Sequence, residues 1–179
     1  MSWRLMEANA ELDLNRRRFG HIKVYDESKT YVSRVEDPNA SISKSYRIRV
    51  PEGSRYLLHL TDAAFPQKGY PANPTPTKSI SLNGWRDGAD VILSYTIYWE
   101  NNAPRFNVHT ETNEYFNYVP PNWVDDGQSE SFDLETSPQN EYSTSESIEF
   151  MWWRGSSTKR GFMLWLEPYA TWIEKRKSS

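Results

Sequence analysis

The sequence predicts an all-β protein, an antiparallel β-sandwich of jelly-roll-like form with one N-terminal α-helix. Three observations lead there. Residues 90–99 are an unbroken run in which Val91, Leu93, Tyr95, Ile97 and Trp99 alternate with Ile92, Ser94, Thr96 and Tyr98. Period-two alternation of this length marks a long strand with one buried face. Shorter runs of the same kind recur, with turn signals about every eight to twelve residues, as in sandwiches. Beyond residue 21 there is no strand–helix–strand alternation, which argues against a parallel α/β sheet. The long irregular loops favour a sandwich over a closed barrel.

A chain of 179 residues fits one domain with an appendage. Only 37% of it is hydrophobic, but 8 Trp and 11 Tyr bring enough ring area to build a core where Leu, Ile and Val are sparse. The net charge of -3 offers no basic excess for nucleic acid. The absence of Cys excludes disulfides, thiolate metal sites and a cysteine nucleophile, and leaves the compartment open. No run reaches the roughly 18 apolar residues of a membrane span, and no apolar stretch follows Met1 as in a signal peptide. Nothing in the composition calls for a cofactor.

The elements follow in order. Residues 2–18 contain no Gly or Pro and are rich in Ala, Leu, Glu and Arg, which predicts a helix. Gly20 is its stop, and Arg16, Arg17 and Arg18 in the last turn complement its dipole. Leu5, Ala8, Leu12, Asn15 and Phe19 lie on one stripe, and Trp3, Met6, Ala10 and Leu14 offer a second. A lone helix of this length is marginal in water. It must dock on the β domain, pair with another chain or continue upstream; docking is the expectation.

Strands are expected at 21–25, 29–36 and 42–50, the last with Tyr46, Ile48 and Val50 inward. Residues 55–61 follow, and the 46–50 and 56–60 runs read as a hairpin about Pro51-Glu-Gly53. A long loop with Pro66, Pro71, Pro74 and Pro76 leads to a short strand at 78–82. After the 90–99 strand come strands at 105–111, 115–119 and 131–134, then a polar, mobile excursion at 136–147. The final hairpin sets Ile148, Phe150 and Trp152 against Glu149, Met151 and Trp153, and returns with Phe162, Leu164 and Leu166 on one face. Residues 169–173 read as an edge segment. The expected organisation is a helix over 1–20, a sandwich over 21–174 and a charged tail over 175–179.

Chemistry is sparse. His109 and Glu111 share a strand face, as metal ligands on strands do, but zinc needs three or four ligands and only three His exist. Asp87, Asp90, Glu100, Asp125 and Asp126 are loop carboxylates without acid/base or calcium spacing. Next to Gly, such Asp is ordinarily turn chemistry. Neither a nucleophile elbow nor a Gly-rich phosphate loop is present. Aromatics are more telling. Trp85, Trp123, Tyr70 and Trp153 fall in loops or on an outward strand face, where such rings stack sugars or anchor protein interfaces. The competing reading is that they cap an aromatic core.

Two stretches carry a resemblance: Glu7-Ala-Asn-Ala-Glu-Leu with Asn15-Arg-Arg-Arg-Phe-Gly-His-Ile-Lys-Val-Tyr-Asp26, and Ser45-Tyr-Arg-Ile-Arg-Val-Pro-Glu-Gly-Ser-Arg-Tyr-Leu-Leu58. Together with Gly161-Phe-Met-Leu-Trp-Leu-Glu-Pro168, they cover about a third of the chain. The chain resembles planctomycete proteins in which a membrane span runs into a short polar helix and then an extracytoplasmic β domain. The resemblance implies that Met1 stands downstream of an anchor, and it brings no activity or site residues. The reading is a non-catalytic binding or interaction domain, displayed from a bacterial membrane, with a carbohydrate or protein partner. A carbohydrate-binding module using Trp85 and Trp123 is the alternative, and a hydrolase with converging loop carboxylates the third.

Overall fold

A computed structural model of the chain describes residues 3–36, 43–66, 68, 71–81, 90–101, 103–110, 114–119, 129–136, 139–155 and 160–177. Its elements are α1 (Trp3–Arg18), β1 (Thr30–Val35), β2 (Ser43–Arg49), β3 (Tyr56–Ala64), β4 (Lys78–Ser81), β5 (Asp90–Glu100), β6 (Ala103–Thr110), β7 (Glu114–Tyr118), β8 (Ser129–Asp133), β9 (Asn140–Tyr142), β10 (Ile148–Gly155), β11 (Arg160–Pro168) and α2 (Tyr169–Lys177). The strands form two antiparallel sheets, ordered β7-β6-β5-β2-β1-β9 and β4-β3-β11-β10-β8.

The expected sandwich is thus present, with β5 inside the six-stranded sheet. Val91, Leu93, Tyr95 and Ile97 of β5 belong to the core between the sheets. The core is aromatic along its length. Tyr46 packs on Phe150 with centroids 5.3 Å apart, Tyr95 stacks on Phe106 at 6.1 Å, and Phe106 stacks on Phe162 at 5.9 Å across the sheets. Buried phenols need partners, and here they reach the opposite sheet. Tyr95 donates to Asp133 Oδ1 at 2.5 Å, Tyr46 donates to the Leu134 carbonyl at 2.9 Å, and the Tyr56 hydroxyl bonds Thr30 Oγ1 at 2.7 Å.

Several expectations are corrected. The 46–50 and 56–60 runs do not pair. β2 pairs with β1 and β5, β3 with β4 and β11, and the turn through Gly53 (φ +75°) carries the chain from one sheet to the other. Residues 21–25 are extended but join no ladder. Lys23 N donates to Gln139 Oε1 and its carbonyl accepts from Gln139 Nε2, both at 2.8 Å, while the Tyr31 hydroxyl accepts from Asp26 N at 2.8 Å. This strap buries Tyr31 on the outer face of β1. Within 136–147, β9 pairs with β1. Residues 169–177, expected as an edge segment and a tail, form α2.

α1 ends where expected. Gly20 takes φ +58°, and a Cβ there would lie 2.8 Å from Val35 Cγ2, so the position favours glycine twice over. The described side chains of the helix do not pack on the sheets, however. Among its described side chains, Met6, Leu12 and Leu14 are 58%, 48% and 52% exposed, and Phe19 just beyond is 63% exposed.

Candidate binding site at one end of the sandwich

Strand register brings a mixed aromatic and charged group together at one end. In the five-stranded sheet, Asp62, Phe162, Trp153 and Ser131 form one rung. In the facing sheet, Tyr118, Phe106 and Ile97 form another. One step further out, Arg160 opposes Ala64, and Trp99 opposes Pro104. Alternation keeps Arg160 on the face of Phe162 and Trp99 on the face of Ile97.

The two rungs are joined across the gap. Asp62 is almost fully buried, and its Oδ2 accepts from the Tyr118 hydroxyl at 2.8 Å. Arg160, one third exposed, holds its guanidinium 3.3 Å from Asp62 Oδ1. Lys78 Nζ lies 5.0 Å over the Tyr118 ring. Burial, the bond to Asp62 and the carboxylate charge push the Tyr118 phenol up to about 12, with Arg160 opposing.

The aromatic half runs outward from the core. Trp153 packs on Phe162 at 6.2 Å, and Trp99 meets Trp153 edge-on at 6.3 Å and 69°. Trp99 remains 46% exposed. Beside it, Glu100 and Arg105 form an ion pair flanking the β5–β6 turn, where Asn101 takes φ 53°. Asn tolerates this left-handed conformation better than most residues.

Trp153 was expected on an outward face. A bulge between Glu149 and Met151 shifts the β10 register, so Met151 and Trp153 turn inward and Trp152 outward, where it stacks on Phe132. Tyr70, Trp85, Trp123 and Glu111 lie outside the described residues. The strand ends bracketing them are informative. β3 and β7, which precede the segments holding Tyr70 and Trp123, end at the Trp153 end. Ser81 and Asp90, which bracket the segment holding Trp85, pair with Leu57 and Arg49 at the opposite end. His109 sits half-buried on the outer face of the six-stranded sheet, opposite Ser94. Among the described residues, no group of three or more His, Asp or Glu gathers to hold a metal.

A second polar group was not anticipated. On the outer face of the five-stranded sheet, His59 is fully buried, with Nδ1 2.7 Å from Ser79 Oγ and Nε2 3.3 Å from Glu167 Oε2, off the hydrogen-bond axis. Lys175 of α2 donates to Glu167 Oε1 at 2.6 Å. In outline this is a Ser–His–carboxylate relay. The imidazole, however, lies against the rings of Trp165 and Trp172, 5.0 and 6.4 Å away. Its evident work is to fasten α2 to the sheet. Sequence alone marks His59 as an outward strand residue; α2 is what covers it.

No protein-family model, curated protein or solved structure matches this chain. The fold defines an antiparallel β-sandwich. No helix among the described residues is long and apolar enough to cross a membrane.

Proposed function

We propose that this chain is a non-catalytic binding domain whose ligand face is the aromatic end of the sandwich, and that the ligand is a carbohydrate. The observation that carries this is the Trp99–Trp153 pair, an indole left nearly half exposed and braced edge-on by a second ring rooted in the core. A flat ring held in place supplies a stacking surface at little entropic cost, and a few polar groups beside it fix orientation. Arg160 and the Glu100–Arg105 pair are placed for that second task. Asp62 is already committed to Tyr118 and Arg160, which suits an anchor of the site better than a free acid. Display outside a membrane, as in the planctomycete proteins the chain resembles, would set such a face against extracellular polysaccharide.

The test is a glycan-array screen of the purified chain beside Trp99→Ala, Trp123→Ala and Trp85→Ala. Binding lost in Trp99→Ala and kept in Trp85→Ala supports the reading. Loss confined to Trp85→Ala moves the site away from the Trp99–Trp153 pair. A blank array from folded protein overturns the carbohydrate assignment.

A further inference from the structure

We infer that α1 pairs with α1 of a second copy as a parallel, in-register two-stranded coil. The inference is independent of the ligand face. It starts from the exposure of the helix. Leu12 and Phe19, which share one stripe, stay in solvent, and a lone helix of 16 residues is marginal in water. The β domain leaves the described side chains of the helix bare, open to a second surface.

Position decides which surface. Residues 5, 8, 12, 15 and 19 follow 3-4-3-4 spacing as Leu, Ala, Leu, Asn and Phe, the a and d positions of successive heptads. The backbone keeps this stripe intact past the last helical residue, because Phe19 N still donates to the Asn15 carbonyl at 3.1 Å. The flanking g positions are then Arg4, Glu11 and Arg18, and the e positions Asn9 and Arg16.

Charge selects the partner and its direction. In a parallel pair, each g residue faces the e residue five positions on in the other helix. Glu11 therefore meets Arg16 of the partner subunit, and the two-fold axis repeats the contact. In an antiparallel pair g faces g, and the central layer sets Glu11 against its own copy. Attraction in one arrangement and repulsion in the other favour parallel self-pairing. A parallel pair also leaves both β domains at the same end.

Sedimentation of the full chain across a concentration series tests the inference, with Glu11→Arg, Arg16→Glu and the double variant alongside. The chain is expected to dimerise reversibly. Each single swap turns two attractive contacts into two repulsive ones and raises the dimer Kd about tenfold. The double variant, and an equimolar mixture of the two single variants, restore association. A chain that stays monomeric up to about 1 mM, forms trimers, or associates indifferently to the swaps overturns the inference. So does a double variant that fails to recover, since only the parallel register pairs 11 with 16.

Discussion

The Tyr118 hydroxyl donates to Asp62 Oδ2 at 2.8 Å, joining the edge strand of one sheet to an inner strand of the other. The bond closes a circuit of Asp62, Phe162, Phe106 and Tyr118, in which aromatic stacking and a charge-assisted hydrogen bond tie the sheets at the ligand end. Tyr118→Phe removes the hydrogen bond and little volume. Bonds to charged groups contribute about 1.5–3 kcal/mol, so the loss in urea unfolding should be about 2 kcal/mol. The alkaline behaviour is a second readout. The folded phenol titrates higher than an unfolded one, so its contribution is complete below about pH 10 and fades as pH rises through about 12. Tyr118→Phe should flatten that part of the alkaline limb. An unchanged limb would mean that the bond is absent in solution.

Gly161 opens β11 opposite Arg154, beside the outer indoles. A Cβ there would come 2.4 Å from the Trp153 carbonyl oxygen and 3.0 Å from the Phe65 ring. Backbone cannot step aside cheaply, so Gly161→Ala should cost about 3 kcal/mol, the upper range for overpacking. Gly53, at φ +75°, has nothing within 4 Å of its would-be Cβ. Gly53→Ala should therefore cost only the left-handed penalty of about 1–2 kcal/mol. Paired thermal melts compare them, and equal losses would contradict the packing argument.

The same neighbourhood shows how far sequence reading reaches. Alternation in β5 identified the inner face of the central strand, and Gly20 marked the end of α1, because both signals are local. The bulge in β10 is non-local. Strict alternation put Trp153 outside, and one extra residue in the register reversed it. The false hairpin through Gly53 failed for a related reason. A short turn between two alternating runs permits pairing, but the choice of sheet depends on partners far along the chain. α2 was missed because Tyr169-Ala-Thr-Trp-Ile173 is rich in β formers, and packing on the sheet overrode that preference. The aromatic end could be read only in part, since Trp99, Trp153, Asp62, Tyr118 and Arg160 converge from different strands of both sheets.

Glu167 should limit stability in acid. Burial raises its pKa, but the contacts with His59 and Lys175 and the lysine charge outweigh burial and hold it below the usual glutamate value. A carboxylate lowered on folding contributes above its unfolded pKa, and the contribution is lost as pH falls through the folded value. Glu167→Gln should be less stable at neutral pH and lose less on acidification. Trp172 fluorescence reports α2 best in a variant lacking other outer-face tryptophans. Detachment of α2 before global unfolding is expected in Glu167→Gln, and a fully cooperative transition at every pH would show that the network does not fasten the helix.

Trp99 and Trp153 touch each other but should fail differently when truncated. Trp99 sits at the rim, so Trp99→Ala exposes little core and should cost about 0.5 kcal/mol of stability, as at other surface-facing positions. Trp153 is partly buried against Phe162. Full burial of such a side chain makes removal cost about 3–5 kcal/mol, and partial burial here places Trp153→Ala near the lower bound. Binding should invert the order of interest. In a carbohydrate titration by calorimetry, Trp99→Ala should weaken affinity about thirtyfold, the effect of losing a 2 kcal/mol anchor, with its fold intact. Trp153→Phe keeps an edge for Trp99 to lean on and should retain most affinity, whereas Trp153→Leu should lose it through disorder of the Trp99 ring. Equal affinity in Trp153→Phe and Trp153→Leu would mean that Trp99 is not braced by its neighbour, and the stacking surface would then have to be sought on another ring.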